Sequence, residues 1–247
     1  MPFLALLRHG QSQWNLENRF TGWMDVNLTP VGESQARQAG SLLAKSDVAF
    51  SYTFSSVQTR AIRTLWLAME AMDQCWLPEE KSWRLNERHY GALTGLDKSE
   101  TIAKHGAEQV NIWRRSYDVP PPPQSKDDPL HPARDVRYAH LGRSDIPDGE
   151  SLAMTLERVL PFWHATIVPK LNTQNIIISA HGNSLRAIVK HLFSLDETAI
   201  MGIEIPTGNP LLIELSQELK PMSARYLDQD RAQLLPVIPV QSHNAAQ

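Results

Sequence analysis

Two apolar runs of strand length, Phe3 to Leu7 and Ile176 to Ser179, each lead into a histidine beside a glycine: Arg8-His9-Gly10 and His181-Gly182-Asn183. Glycine suits a sharp turn, so both runs read as strands that end by delivering polar groups. After the second, Leu185 to Phe193 resumes at helical spacing. Strand followed by helix, met repeatedly, points to an α/β fold with a mostly parallel sheet and helices covering its faces.

The chain between these runs fits the same pattern. Thr29-Pro30 places a capping hydroxyl before a proline suited to a first helical turn, and helical composition continues to about Lys45. Phe50, Tyr52 and Phe54 alternate as in a strand, and Val57 to about Met72 carries apolar residues at helical spacing, with Arg60 in its first turn. Leu152, Leu156, Val159, Leu160, Trp163 and Ile167 form a helical stripe from Ser151 to Val168, kinked by Pro161 and expected to stop at Pro169. Val119 to Pro147 is rich in proline and charge, so it is either a linker or a loop. Because matching chemical groups lie on both sides, a loop over the active site of one domain spanning 1–247 is preferred. Clear patterning fades after Leu215, which makes 216–247 an expected mobile tail.

Composition narrows the function. A formal net charge of -3 offers no global positive field for nucleic acid or an anionic membrane, so any anion must be caught locally. A lone cysteine, Cys75, rules out an internal disulfide and a cysteine zinc cluster, and a buried, inert thiol is expected. The opening apolar run meets Arg8 too early for a signal peptide, and no run approaches the roughly 18 apolar residues of a membrane span. The expected location is the cytoplasm.

Ligands of open α/β sheets bind beyond the carboxyl ends of the strands. Here those ends carry Arg8 with His9, then Ser55, Ser56 and nearby Arg60, then His181 with Asn183. Two imidazoles and two guanidiniums suit a phosphoryl group: guanidinium forks match its oxygens, and neutral imidazole attacks phosphorus. With a reference pKa of about 6.5 and Arg8 beside it, His9 should be largely neutral near pH 7. Arg8, Arg60 and His181 would stabilise the charge that develops. The remaining histidines lack ligand spacing, so no metal is expected.

The same residues resemble a known family. Arg8-His9-Gly10 is similar to the signature of the histidine phosphatase superfamily. Gln13-Trp14-Asn15, Phe20-Thr21-Gly22-Trp23, Leu28-Thr29-Pro30, Leu85-Asn86-Glu87-Arg88-His89-Tyr90-Gly91, Trp113-Arg114-Arg115, Ala180 to Arg186 and Ile205-Pro206-Thr207-Gly208 resemble its bisphosphoglycerate-dependent phosphoglycerate mutase branch. The resemblance implies a three-layer α/β sandwich: a mixed six-stranded sheet with helices on both faces. It also implies a phosphohistidine at His9, Glu87 as general acid and base, and His181 in support of the transferring group. Arg8, Arg60 and Asn15 would contact that group, and Thr21 and Gly22 would hold the substrate near its carboxylate. Tyr90, Lys98, Arg114 and Arg115 would complete the anion pocket, with Gly182 and Asn183 beside His181. The implied reaction interconverts 3-phosphoglycerate and 2-phosphoglycerate, primed by 2,3-bisphosphoglycerate without metal, in a homodimer or homotetramer. Two other readings stay open: a phosphatase passing the phosphoryl group from His9 to water, and a non-catalytic binding protein of the same fold. Gln11, the pair Gln58-Thr59, and the tail with Pro236, Pro239 and Gln247 depart from the family's usual residues.

Overall fold

A computed structural model describes residues 1–235. In chain order the helices are α1 (Gln13–Leu16), α2 (Pro30–Ala44), α3 (Thr59–Ala71), α4 (Lys98–His105), α5 (Ala107–Arg115), α6 (Leu152–Phe162), α7 (Val168–Leu171), α8 (Gly182–Leu192) and α9 (Glu197–Met201). The strands are β1 (Phe3–Arg8), β2 (Tyr52–Ser55), β3 (Glu79–Lys81), β4 (Ile176–Ala180), β5 (Leu211–Leu215) and β6 (Pro221–Tyr226). They form one six-stranded sheet in the order β3-β2-β4-β1-β5-β6. β1, β2, β3 and β4 pair in parallel, whereas β5 is antiparallel to both β1 and β6. The mixed, mostly parallel sheet is therefore as expected.

Alternation along β1 builds the layers. Leu4 and Leu6 enter one core with Ile176, Ile178, Leu185 and Ile188, under α6 and α8. Ala5 faces the other way, with Leu43, Leu65 and Met69 of α2 and α3. Side chains of a strand alternate between faces, so one apolar strand feeds two cores and both must be covered by helices. The parallel register then brings the carboxyl ends of β1, β2 and β4 to one edge: the His9 N–H donates to the Ala180 carbonyl at 3.0 Å, and the Ser56 N–H to the Ser179 carbonyl at 3.4 Å.

Several expectations are corrected. Pro169 does not end the long helix; the chain continues through a π-helical turn, Trp163–Ile167, into α7. That wide turn lies between Pro161 and Pro169, where each proline withholds a backbone donor and a looser hydrogen-bond pattern is the natural relief. Beyond Leu215 the chain forms edge strand β6; Pro236, Pro239 and Gln247 lie outside the described residues. Cys75 is exposed, not buried. The 119–147 segment makes two 3-10 turns, Pro132–Arg134 and Val136–Tyr138. It docks through Tyr138, whose hydroxyl accepts from Asn86 at 2.9 Å.

α2 and α3 approach so closely that a Cβ on Gly40 would lie 2.2 Å from the Ala68 carbonyl oxygen. Gly40→Ala gains helix propensity of about 1 kcal/mol but must separate two backbones. A net loss of about 1–3 kcal/mol is expected in urea unfolding at unchanged m value. A neutral or stabilising result would contradict this close contact.

Candidate active site

The polar edge of the sheet opens on a cavity of about 740 Å³, counting its mouth. Its wall includes Arg8, His9, Asn15, Thr21, Arg60, Glu87, Tyr90, Lys98, Arg114, Arg115, Gly182 and Asn183. Residues 172 positions apart in the chain, His9 and His181, have ring centroids 5.0 Å apart because β1 and β4 are neighbours. His181, fully buried behind His9, and Gly22 lie outside the lining. The Gly22 φ of +54° suits glycine, and its carbonyl accepts from Arg60 and Gln58, each at 2.9 Å. The geometry gives it a backbone role beneath Arg60.

His9 is buried, and its Nδ1 lies 2.7 Å from the Gly10 carbonyl. A carbonyl oxygen only accepts, so Nδ1 carries the hydrogen and Nε2 keeps its lone pair. Burial, then the charges of Arg60 and Arg8, hold the His9 pKa well below 6.5. His181 is lowered for the same reasons, burial first, followed by Arg60 and His9. Its Nε2 is 2.7 Å from the Ser56 hydroxyl, while its Nδ1 is buried without a partner among the described residues.

The guanidinium of Arg60 donates to the carbonyls of Met24 at 2.8 Å and Gly22 at 2.9 Å, and that of Arg8 to Ile205 at 2.8 Å. In both, Nε is buried without a partner among the described residues. Burial lowers the Arg60 pKa to about 10, which still leaves it charged at neutral pH.

Glu87 sits on the turn after β3, held on several sides. Its Oε1 accepts from the Arg88 N–H at 2.8 Å and the Asn183 N–H at 3.1 Å, at the start of α8. Its carbonyl accepts from Arg158 at 3.0 Å, and Arg158 forms a buried ion pair with Glu150 at 2.6 Å. Tyr90 accepts from the Asn183 amide at 3.2 Å. Burial alone would raise the Tyr90 pKa, but the Arg88 charge and hydrogen bonds outweigh it and bring it down. Burial lowers the pKa of Lys98 at the wall.

Arg19, Phe20, Arg186, Glu204 and Ile205 also line the cavity and were not singled out from sequence. Arg186 carried a signal, being one turn beyond Asn183 on α8 and donating to its side-chain oxygen at 2.9 Å. Glu204, paired with Arg115, had none, because a loop places it there. The 119–147 segment contributes nothing to the wall; it braces the Glu87 turn from behind through Asn86. Gln11 accepts from the Thr29 hydroxyl at 2.9 Å, beside the cap of α2.

Residues 4–222 match the sequence profile of the histidine phosphatase superfamily (branch 1). The chain belongs to that superfamily. A protein of Hyphomonas neptunium named 2,3-bisphosphoglycerate-dependent phosphoglycerate mutase is 59% identical over 97% of this chain and 100% of its own length. A Caulobacter sp. protein of that name is 59% identical over 96% and 100%, and one from Xylella fastidiosa 59% over 93% of each. Among solved structures, mycobacterial hydrolase 1 superposes with a TM-score of 0.68 at 20% identity, covering 91% of this chain and 96% of that one. A mycobacterial glucosyl-3-phosphoglycerate phosphatase gives 0.68 at 21% identity, covering 92% and 97%. At such identities these structures establish the superfamily fold. Among the described residues, no helix is long and apolar enough to cross a membrane, and no group of three metal-ligating side chains gathers.

Burial keeps His9 and His181 neutral, and His89 is lowered to about 3, also by burial first. In the unfolded chain each titrates near 6.5, so below that pH the unfolded state binds more protons and stability falls as pH falls. Each histidine contributes about 1.4 kcal/mol per pH unit in this window, above the range where carboxylates titrate. Urea unfolding between pH 7 and 5 should show this slope, and His9→Asn should make it shallower by about one histidine's share. Parallel curves for the two proteins would contradict the buried neutral assignment.

Proposed function

We propose that the protein interconverts 3-phosphoglycerate and 2-phosphoglycerate through a phosphohistidine at His9, primed by 2,3-bisphosphoglycerate. The observation that carries the reading is a pair of buried guanidinium donors, Arg8 Nε and Arg60 Nε, that have no partner among the described residues and flank a neutral imidazole. Buried polar groups are normally hydrogen-bonded, and donors left unpaired beside a nucleophile fit an anionic ligand that completes them. A phosphoryl group has the right charge and oxygen count.

The bisphosphorylated primer is itself a substrate of the cycle, and the wall suits it. Among the described residues, seven cationic side chains, Arg8, Arg19, Arg60, Lys98, Arg114, Arg115 and Arg186, face two carboxylates, Glu87 and Glu204. This local excess of positive charge, in a chain of net charge -3, matches two phosphates and a carboxylate. Lys98, Arg114 and Arg115 support the mutase reading in particular, because a released phosphate would need no second anionic anchor. The relatives at 59% identity carry the mutase name along essentially the whole chain.

In the proposed cycle His9 Nε2 attacks phosphorus while its Nδ1–H keeps the Gly10 carbonyl, which stabilises the ring as it gains positive charge. Arg8, Arg60 and His181 donate to the equatorial oxygens, where charge builds. Glu87 gives a proton to the departing glycerate oxygen and takes one from the attacking hydroxyl in the reverse half. Asn15, Thr21 and Tyr90, with Gly182 and Asn183 at the start of α8, hold the glycerate as it reorients.

The test is brief incubation with 2,3-bisphosphoglycerate followed by peptide mass spectrometry, with isomerisation of 3-phosphoglycerate assayed alongside. Acid-labile phosphate should map to His9, and His9→Ala should lose it together with at least about 10³-fold of the isomerisation rate. Free phosphate accumulating without 2-phosphoglycerate would replace this reading with a phosphatase.

A further inference from the structure

Gln58 occupies the N-cap position of α3 yet forms no side-chain cap there. It is fully buried, at 0% exposure. Its amide instead joins two distant loops to the first turn of α3. Oε1 accepts from the Glu87 N–H at 2.9 Å and from Arg60 Nη2 at 3.3 Å, and Nε2 donates to the Gly22 carbonyl at 2.9 Å. The opposite amide orientation would set oxygen against a carbonyl and NH₂ against two donors, so the chemistry fixes this one.

The two bonds to Oε1 are unequal. Arg60 also makes shorter bonds that do not pass through Gln58, to the Met24 and Gly22 carbonyls at 2.8 and 2.9 Å. The Glu87 N–H has Gln58 as its acceptor. Removing the amide oxygen therefore leaves the phosphoryl-binding guanidinium seated and strands a buried peptide N–H of the proposed acid. An unsatisfied buried donor costs about 1–3 kcal/mol unless the turn moves to find a partner. The Glu87 turn has such freedom on its N–H side, since Arg158 grips it through the carbonyl oxygens of Asn86 and Glu87.

Resting on the function proposed above, we infer that Gln58 is a positioning residue that holds the Glu87 carboxyl where it can pass a proton to the glycerate oxygen. In that step the His9 Nε2–P bond forms, the P–O bond to glycerate breaks, and the leaving oxygen takes the Glu87 proton. Proton delivery matters only when the leaving group is a poor one. An aryl phosphate such as p-nitrophenyl phosphate transfers its phosphoryl group to His9 by the same attack, but its phenolate leaves without a proton.

Gln58→Met keeps length and burial and removes the hydrogen bonds. With 3-phosphoglycerate and trace bisphosphoglycerate, kcat should fall about 10- to 100-fold while KM stays within about threefold. The first-turnover burst of nitrophenolate from p-nitrophenyl phosphate, which reads formation of the His9–P bond before water removes the phosphoryl group, should slow less than about threefold. Gln58→Glu keeps an acceptor for the Glu87 N–H and, protonated on its other oxygen, a donor for the Gly22 carbonyl, so the ratio of the two rates stays near the parent's. If Gln58→Met fails to fold, Gln58→Glu decides the matter: a collapsed ratio there overturns the inference. Equal losses with both phosphoryl donors in Gln58→Met, or none, also overturn it. Absence of isomerisation by the unaltered protein would instead sink the proposed function and this inference with it.

Discussion

The hydrogen bond from His9 Nδ1 to the Gly10 carbonyl, at 2.7 Å, decides which nitrogen of a buried ring is free for chemistry. Everything else at the site presupposes that choice. Were the hydrogen on Nε2, the cations would surround a donor, and an electrophilic phosphorus would find no lone pair. The bond is backbone to side chain across one residue, so it comes with the turn that ends β1.

That ring also depends on where the sheet puts it. Parallel pairing of β1 and β4 brings His181 to His9, and β2 adds Ser56 and the start of α3 with Arg60. Collecting positive groups in a buried place is costly, and the protein manages it with carbonyls: Met24, Gly22 and Ile205 each accept from a guanidinium. Neutral acceptors hold the arginines without cancelling their charge. Carboxylates take part farther from His9, where Glu204 pairs with Arg115 at the wall and Glu150 with Arg158 behind the Glu87 turn.

The centre of the fold was legible in the sequence because its strands are continuously apolar and end in polar turns. Phe3 to Leu7 and Ile176 to Ser179 announce β1 and β4, and α2 announces itself through Thr29-Pro30. The edges were not. β3 is Glu79-Glu80-Lys81, a charged strand with little intrinsic β propensity, and charge is how exposed edges avoid pairing with other chains. β6 was hidden for a similar reason, since Met222, Ser223 and Arg225 face outward. At the site, residues on strand ends were found, but Phe20, Arg186 and Ile205 lay inside quoted motifs without being given a role, and Glu204 and Arg19 needed the folded loops. Gln58 stood out only as a departure from the family's usual residues; its bonds to the Glu87 and Gly22 loops are tertiary and leave no local trace.

The central claim is that His9 is a neutral imidazole with its hydrogen on Nδ1. Nitrogen NMR of protein labelled with ¹⁵N in histidine, titrated from about pH 5.5 to 8, measures this directly. The account predicts a His9 spectrum of the neutral Nδ1–H tautomer with no protonation step across that range. A resonance that titrates near the ordinary histidine pKa, or a hydrogen located on Nε2, would contradict it.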